Sequence, residues 1–151
     1  MTSIVWAPET DDEANHKLAE WIEAHIWGAA GIISRPCRCF GVFRGKRLLG
    51  AVAFHDWQPE YGVVWFSGAA IDASWLSREV IREIADHGFD RLGCQLLAIR
   101  VDPDNARVIR IFRALGFQSY AIPRLRGRDK ADLIMTLTVE TRDASPFIRR
   151  R

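Results

Sequence analysis

The chain has 151 residues, 48% of them hydrophobic and 26% charged, the balance of one soluble globular domain with room for a single sizeable core. Lys and Arg number 21 against 19 Asp and Glu, a net charge of only +2, which does not point to a nucleic-acid partner, since basic residues dominate such domains. No run approaches the roughly eighteen apolar residues of a membrane span. The opening stretch MTSIVWAPETDDEAN carries acids where a secretory signal carries a basic region, so the expected location is the cytoplasm, with no membrane partner.

Cys37, Cys39 and Cys94 are an odd set, suited to a reducing compartment as small buried or half-buried thiols. Cys37-Arg38-Cys39 has no second Cys or His pair at zinc spacing, so no metal site is expected.

Thr10-Asp11-Asp12-Glu13 has the spacing of a capping box, and Leu18, Trp21, Ile22 and Ile26 recur at helical intervals, which predicts a helix from Asp11 to His25. Gly28, Gly31 and Pro36 break the pattern. Cys39 to Phe43 and Leu48 to His55 are apolar runs around Arg44-Gly45-Lys46-Arg47, a predicted hairpin. Asp56 to Gly62 is turn chemistry, after which Val63 to Phe66 resumes an extended run that Ser67-Gly68 interrupts before Ala69-Ala70-Ile71. A glycine in such a run marks a bulge or a close approach. From Ser74 the period becomes helical, with Leu76, Val80, Ile81 and Ile84 on one face up to His87-Gly88. Gln95 to Val101 predicts a strand, Asp102 to Asn105 a cap, and Val108, Ile111, Phe112 and Leu115 a helix closed by Gly116. Ser119 to Ile122 and Leu133 to Val139 complete the set as strands around the loop from Pro123 to Asp132. The strand-helix-strand unit in the middle makes Val63–Ile71 and Gln95–Val101 parallel through a right-handed crossover, within a sheet otherwise joined by hairpins. The reading is one α/β (α+β) domain over residues 1–151, with 142–151 a flexible basic tail.

The segment Asp104-Asn105-Ala106-Arg107-Val108-Ile109-Arg110-Ile111-Phe112-Arg113-Ala114-Leu115-Gly116-Phe117 resembles the asparagine-to-glycine-phenylalanine helix of the GNAT superfamily of acyl-CoA-dependent N-acyltransferases. The strand before it, the hairpin and the helix after Ile71 fall in that family's order, so the resemblance covers Phe40 to Val139. His55-Asp56-Trp57, Ser67-Gly68-Ala69, Trp75-Leu76-Ser77-Arg78, Leu92-Gly93-Cys94 and Arg124-Leu125-Arg126-Gly127-Arg128-Asp129 further resemble GNAT-like proteins encoded by phages and prophages.

The resemblance implies a mixed, mostly antiparallel sheet with two central splayed parallel strands and helices on both faces. It implies acetyl-CoA, or a related acyl-CoA, as cofactor, with its pantetheine along the backbone of Ser67, Gly68, Ala69, Ala70 and Ile71 as if it were another strand, Gly68 allowing a bulge. The pyrophosphate falls above Ser74, Trp75, Leu76, Ser77 and Arg78 at a helix N-terminus, where free N–H groups favour an anion. Asn105 contacts the cofactor or the strand ends, besides capping its helix, and Arg107 and Arg110 meet phosphates. The chain departs from the family in two places. Ala73 to Arg78 contains no glycine where the family has a glycine-rich loop, leaving Ser74 or Ser77 as cap and Arg78 as the charge. Phe112, counted with the cofactor-binding residues, stands where many members place the tyrosine that protonates the leaving thiolate. Proton handling then falls to Ser67 and His55, near Asp56 and Glu60, unless the serine merely bonds a bulge and the histidine merely closes a turn.

Two functions follow from the resemblance. The first is direct transfer of an acyl group from acetyl-CoA to an amine, on a small molecule or a protein, with a homodimer left open. The second is a GNAT-shaped binding protein with little or no catalysis, using the basic loop of Arg124, Arg126, Arg128 and Lys130 to engage a protein or nucleic acid.

Overall fold

A computed structural model describes residues 1–26 and 31–148. The break expected at Gly28 and the arginines at 149–151 lie outside the described residues. The chain divides into two units, residues 1–58 with 64–81, and 59–63 with 82–151.

The first unit carries β1 (Ser3–Trp6), α1 (Asp12–Ile26), β2 (Arg38–Arg44), β3 (Arg47–Gln58), all of β4 (Val63–Ala70) but its first residue, and the start of α2 (Arg78–Ala85). Its strands are ordered β1-β2-β3-β4. β1 pairs antiparallel with β2, Ser3 opposite Phe43 and Trp6 opposite Phe40, and β2 closes on β3 with Arg44 opposite Arg47. Gly45 takes φ +62° in that turn, a value glycine adopts without strain. Every residue from Leu49 to Phe54 is buried, as in a strand covered on both faces. On one face Cys39, Ala51, Ala53 and Ala69 pack with Ala19 and Ile22 of α1, flanked by Leu18 and Trp21. The small side chains let the helix sit close to the sheet. On the other, Phe54 meets Trp6 and Phe66, and the indole of Trp75 covers Gly50 and Gly68.

Two buried polar side chains fasten α1. Asn15 donates to the carbonyls of Pro8 and Asp11 and accepts from the Cys39 amide at 2.8 Å. Glu23 accepts from the Ile33 amide at 2.7 Å and from Arg35 at 3.0 Å. Asp11 caps the helix through the Ala14 amide at 3.0 Å, a role the capping-box spacing had given to Thr10.

The second unit holds β5 (Leu96–Val101), α3 (Ala106–Ala114), β6 (Gln118–Ile122), β7 (Asp132–Thr138) and α4 (Val139–Ala144). Its strands are ordered β5-β7-β6 and pair antiparallel, Leu96 opposite Thr138 and Gln118 opposite Thr136. Leu97, Ile99, Ile109, Phe112, Phe117, Met135 and Leu137 are its buried apolar residues among others. Arg142 on α4 is buried, bonded to both carboxylate oxygens of Asp90 at 2.6 and 3.1 Å, with its guanidinium 5.0 Å above the Phe89 ring. Ile148 is also buried, so the described part of the stretch read as a tail carries a helix and packed side chains.

The fold class is the expected one, a mixed, mostly antiparallel arrangement with helices and, among the described residues, seven strands. β1 and α4 were not expected. β3 runs on to Gln58, which shortens the predicted turn, and β4 continues through Ser67-Gly68 without a break. The last strand ends at Thr138, whose hydroxyl caps α4 by accepting from the Thr141 amide. No helix among the described residues is long and apolar enough to cross a membrane.

Candidate functional site

In the first unit the structure joins two residues that the sequence could nominate only one at a time. His55 stands near the end of β3 and Ser67 on neighbouring β4, with His55 Nε2 2.8 Å from Ser67 Oγ and His55 Nδ1 2.6 Å from Asp56 Oδ2. A carboxylate only accepts, so in the neutral imidazole Nδ1 carries the ring proton, Nε2 presents its lone pair, and the Ser67 hydroxyl donates to it. The imidazole is 12% exposed and the Asp56 carboxylate 46%, so the relay runs from solvent toward the sheet. Asp56 takes φ +51° within β3, a left-handed conformation that Asp tolerates better than most residues, and its carboxylate meets the preceding histidine. Glu60 is exposed in the turn that follows β3.

Farther along the same unit, a single 3₁₀ turn from Ala73 to Trp75 precedes α2. Asp72 caps it, accepting from the Ser74 amide at 2.9 Å and the Ser74 hydroxyl at 2.6 Å. Arg44 reaches over from the β2–β3 turn, donating to Ser74 Oγ at 3.1 Å and lying 3.7 Å from the Asp72 carboxylate. The bonds from Ser74 first, then the nearby charges of Arg44 and Arg47, hold the Asp72 carboxyl below its ordinary range. Ser77 caps α2, accepting from the Val80 amide at 3.3 Å. Leu76 and Ala69 are buried, Ser67, Gly68, Ala70 and Trp75 half-buried, and Ile71, Ser74 and Arg78 exposed. The Ile71 amide donates to the Leu49 carbonyl at 2.8 Å. A Cβ on Gly50 would lie 2.6 Å from Trp75 Cε3, and one on Gly68 3.1 Å from Trp75 Cη2. Gly68 thus serves the close approach of an indole. Arg44 and Asp72 escaped the sequence reading because Arg44 stands far from Ser74 in the chain and Asp72 lies in a stretch without a motif; the one available signal was the basic turn Arg44-Gly45-Lys46-Arg47.

The remaining candidates belong to the second unit. Asn105 is the cap of α3, its Oδ1 accepting from the Val108 amide at 3.3 Å, and its side chain is exposed, as are Arg107 and Arg110. Phe112 is only 3% exposed and stacks on Phe117 at 4.6 Å between ring centroids. At the start of β7, buried Asp132 accepts from Arg100 at 2.6 Å and from Arg126 at 3.1 Å, and in the loop before it Lys130 pairs with Asp104 at 2.9 Å. Arg124 and Arg128 remain exposed. Among the described residues no group of three or more His, Cys, Asp or Glu side chains is placed to hold a metal.

Residues 1–118 match the family model of the acetyltransferase (GNAT) domain. The chain belongs to the GNAT acetyltransferase family. Solved structures share the fold of this GNAT chain at low identity. Spermidine N-acetyltransferase from Vibrio cholerae, in complex with CoA and spermine, superposes with a TM-score of 0.66 at 16% identity, covering 93% of this chain and 96% of that one. Its dodecameric form in an intermediate state gives 0.63 at 16% identity over 91% and 93% of the two chains. A Thermus thermophilus protein described as a candidate acetyltransferase gives 0.60 at 20% identity and covers 72% of this chain. The GNAT chain spans only 62% of that protein's length. No curated protein matches the sequence.

Proposed function

We propose that the protein is an acyl-CoA-dependent N-acyltransferase that moves an acetyl group to an amine by direct attack in a ternary complex. The observation that carries this reading is the hydrogen-bonded run Asp56–His55–Ser67 on β3 and β4 of a GNAT chain, which sets a base and a hydroxyl beside the backbone that the family resemblance assigns to the thioester arm. Acetyl-CoA supplies the activated acyl group. His55 Nε2 would accept the amine proton through Ser67 Oγ, Asp56 would steady the imidazolium that forms, and CoA would leave as the thiol once that proton returns to its sulfur, a contribution of roughly 10²- to 10⁴-fold for a well-placed base.

The donor set at the start of α2 fits a bound diphosphate. Ser77 would supply a hydroxyl and Arg44 and Arg78 guanidinium groups in place of the backbone contacts of a glycine-rich loop, while Ser74, whose own proton goes to Asp72, holds Arg44 beside them. Asp72 offsets part of the Arg44 charge, which favours moderate affinity. The Ile71 amide is bonded to β3, so backbone alternation points the Gly68 and Ala70 amides away from β3, the side on which the family resemblance puts the pantetheine. The acceptor is an amine of a small molecule or a protein; polyamines enter the first panel because the Vibrio cholerae relative was solved with spermine. Action in the cytoplasm suits three cysteines that are all free thiols.

Calorimetry of the folded protein with CoA tests the reading, which predicts binding, weakened roughly tenfold or more in Arg78→Ala if the guanidinium contacts a phosphate. No binding at millimolar CoA would remove it. One observation favours the second reading, a GNAT-fold binding protein: Phe112, where a proton donor is customary, is a buried packing residue. On that reading Arg124 and Arg128 engage the partner, and CoA does not bind.

A further inference from the structure

We propose that Ser67 is itself a nucleophile, so that the protein also hydrolyses small acyl esters through an acyl-Ser67 when no amine is present. The inference rests on the geometry around His55 and needs no CoA. A serine hydroxyl is a weak nucleophile until a base takes its proton, and the base must in turn be oriented by a third group. Here Ser67 Oγ is 2.8 Å from His55 Nε2, and His55 Nδ1 is 2.6 Å from Asp56 Oδ2, both within the range in which such groups act as a unit. The three residues come from two adjacent strands of a packed sheet, where β3 is buried from Leu49 to Phe54, so the constellation stands on a rigid support. The residues following Ser67 are Gly68, Ala69 and Ala70, which add no bulk beside the hydroxyl. Cys37, Cys39 and Cys94, the thiols that would compete for the acyl group, are all buried.

The chemistry balances within these groups and water. Ser67 Oγ attacks the carbonyl carbon while its proton passes to His55 Nε2. The carbon–oxygen bond to the leaving alcohol breaks, and the alcohol takes that proton, leaving an acetyl ester on Ser67. Water then attacks the ester, gives its proton to His55 Nε2, and the acid departs as Ser67 Oγ recovers the proton. Asp56 accepts from Nδ1–H throughout.

The test uses p-nitrophenyl acetate and the unmodified protein, without CoA. Its leaving group departs as an anion without needing a proton, so the initial burst reads the nucleophile alone. The expected result is a burst of one p-nitrophenolate per chain and a gain of one acetyl group on the peptide containing Ser67 in a rapidly quenched digest. Ser67→Ala should lose the burst and His55→Gln should slow it by roughly 10²-fold or more, with far-ultraviolet circular dichroism showing that each variant is folded. No burst, or an acetyl group mapped elsewhere, overturns the proposal. Acetylation of an amine by acetyl-CoA in a protein whose Ser67 takes no acetyl group from p-nitrophenyl acetate would overturn the nucleophile and leave the transferase standing, whereas a labelled Ser67 in a protein that does not bind CoA would do the reverse.

Discussion

Ser67 and His55 are 12 residues apart in the chain, and what joins them is the register of β3 against β4. Each was legible alone, a hydroxyl in an apolar run and a titratable ring at a strand end. Their contact was not, because a one-residue slip would send either side chain to the opposite face. Phe112 shows the reverse case. Counting back from Gly116-Phe117 put it where an acid would stand, but its ring is stacked in the second unit's core. Phe112→Tyr therefore should not raise turnover, as a missing donor alone would suggest; it should cost about 1–3 kcal/mol by burying a hydroxyl, read from urea denaturation. Asn105→Ala should cost about 1 kcal/mol as a lost cap, and a ligand role would show as a further loss of CoA affinity in the same variant. Among the cysteines, burial pushes the Cys94 thiol up to about 12, while the hydrogen bond from Cys39, 3.8 Å away, holds Cys37 low and drives Cys39 up. Ellman's reagent should find at most Cys37 in the native protein and all three thiols after denaturation.

At the scale of elements, the long periodic segments were readable and the short ones were not. α1 and α3 announced themselves by apolar stripes and polar caps. β1 is four residues of alternating exposure at one edge of its unit, and α4 is six residues without an apolar stripe, so neither exceeds the background of a single sequence. The segment before α2 lacks glycine, and what supports it is not visible in the sequence: Trp75 lies on Gly50 and Gly68, and Arg44 and Asp72 fix Ser74. This contact makes a coupled prediction. Gly50→Ala should destabilise by about 1–3 kcal/mol through overlap with the indole, and Trp75→Ala should remove most of that penalty in the double variant, giving a coupling energy well above the roughly 0.5 kcal/mol scatter of independent sites. Additive losses would mean that the penalty at Gly50 does not come from overlap with the indole.

For the whole molecule, the GNAT assignment rests on element order and on the match over residues 1–118, and composition alone reached no further than a globular domain. Stability should depend on acid through Glu23. Burial alone would raise this carboxyl, but the bond from Arg35 and the Ile33 amide, with the Arg35 charge, hold it below its ordinary 4.5. A depressed folded value means that the stabilisation is complete above the unfolded value and lost as pH falls through the folded one. Urea midpoints should therefore drop on acidification below that range, and Glu23→Ala should cost about 3–5 kcal/mol at neutral pH by leaving Arg35 without its partner. The variant's midpoint should fall less steeply with acid than the parent's.

The most direct test of the account is a single-turnover assay in which the protein, acetyl-CoA and a panel of amines that includes spermidine and spermine are mixed, quenched and analysed by mass spectrometry. The account predicts an acetylated amine that requires the protein and forms roughly 10²- to 10⁴-fold more slowly with His55→Gln. An acetylated amine formed equally fast by that variant, or none formed while CoA is bound, would contradict it.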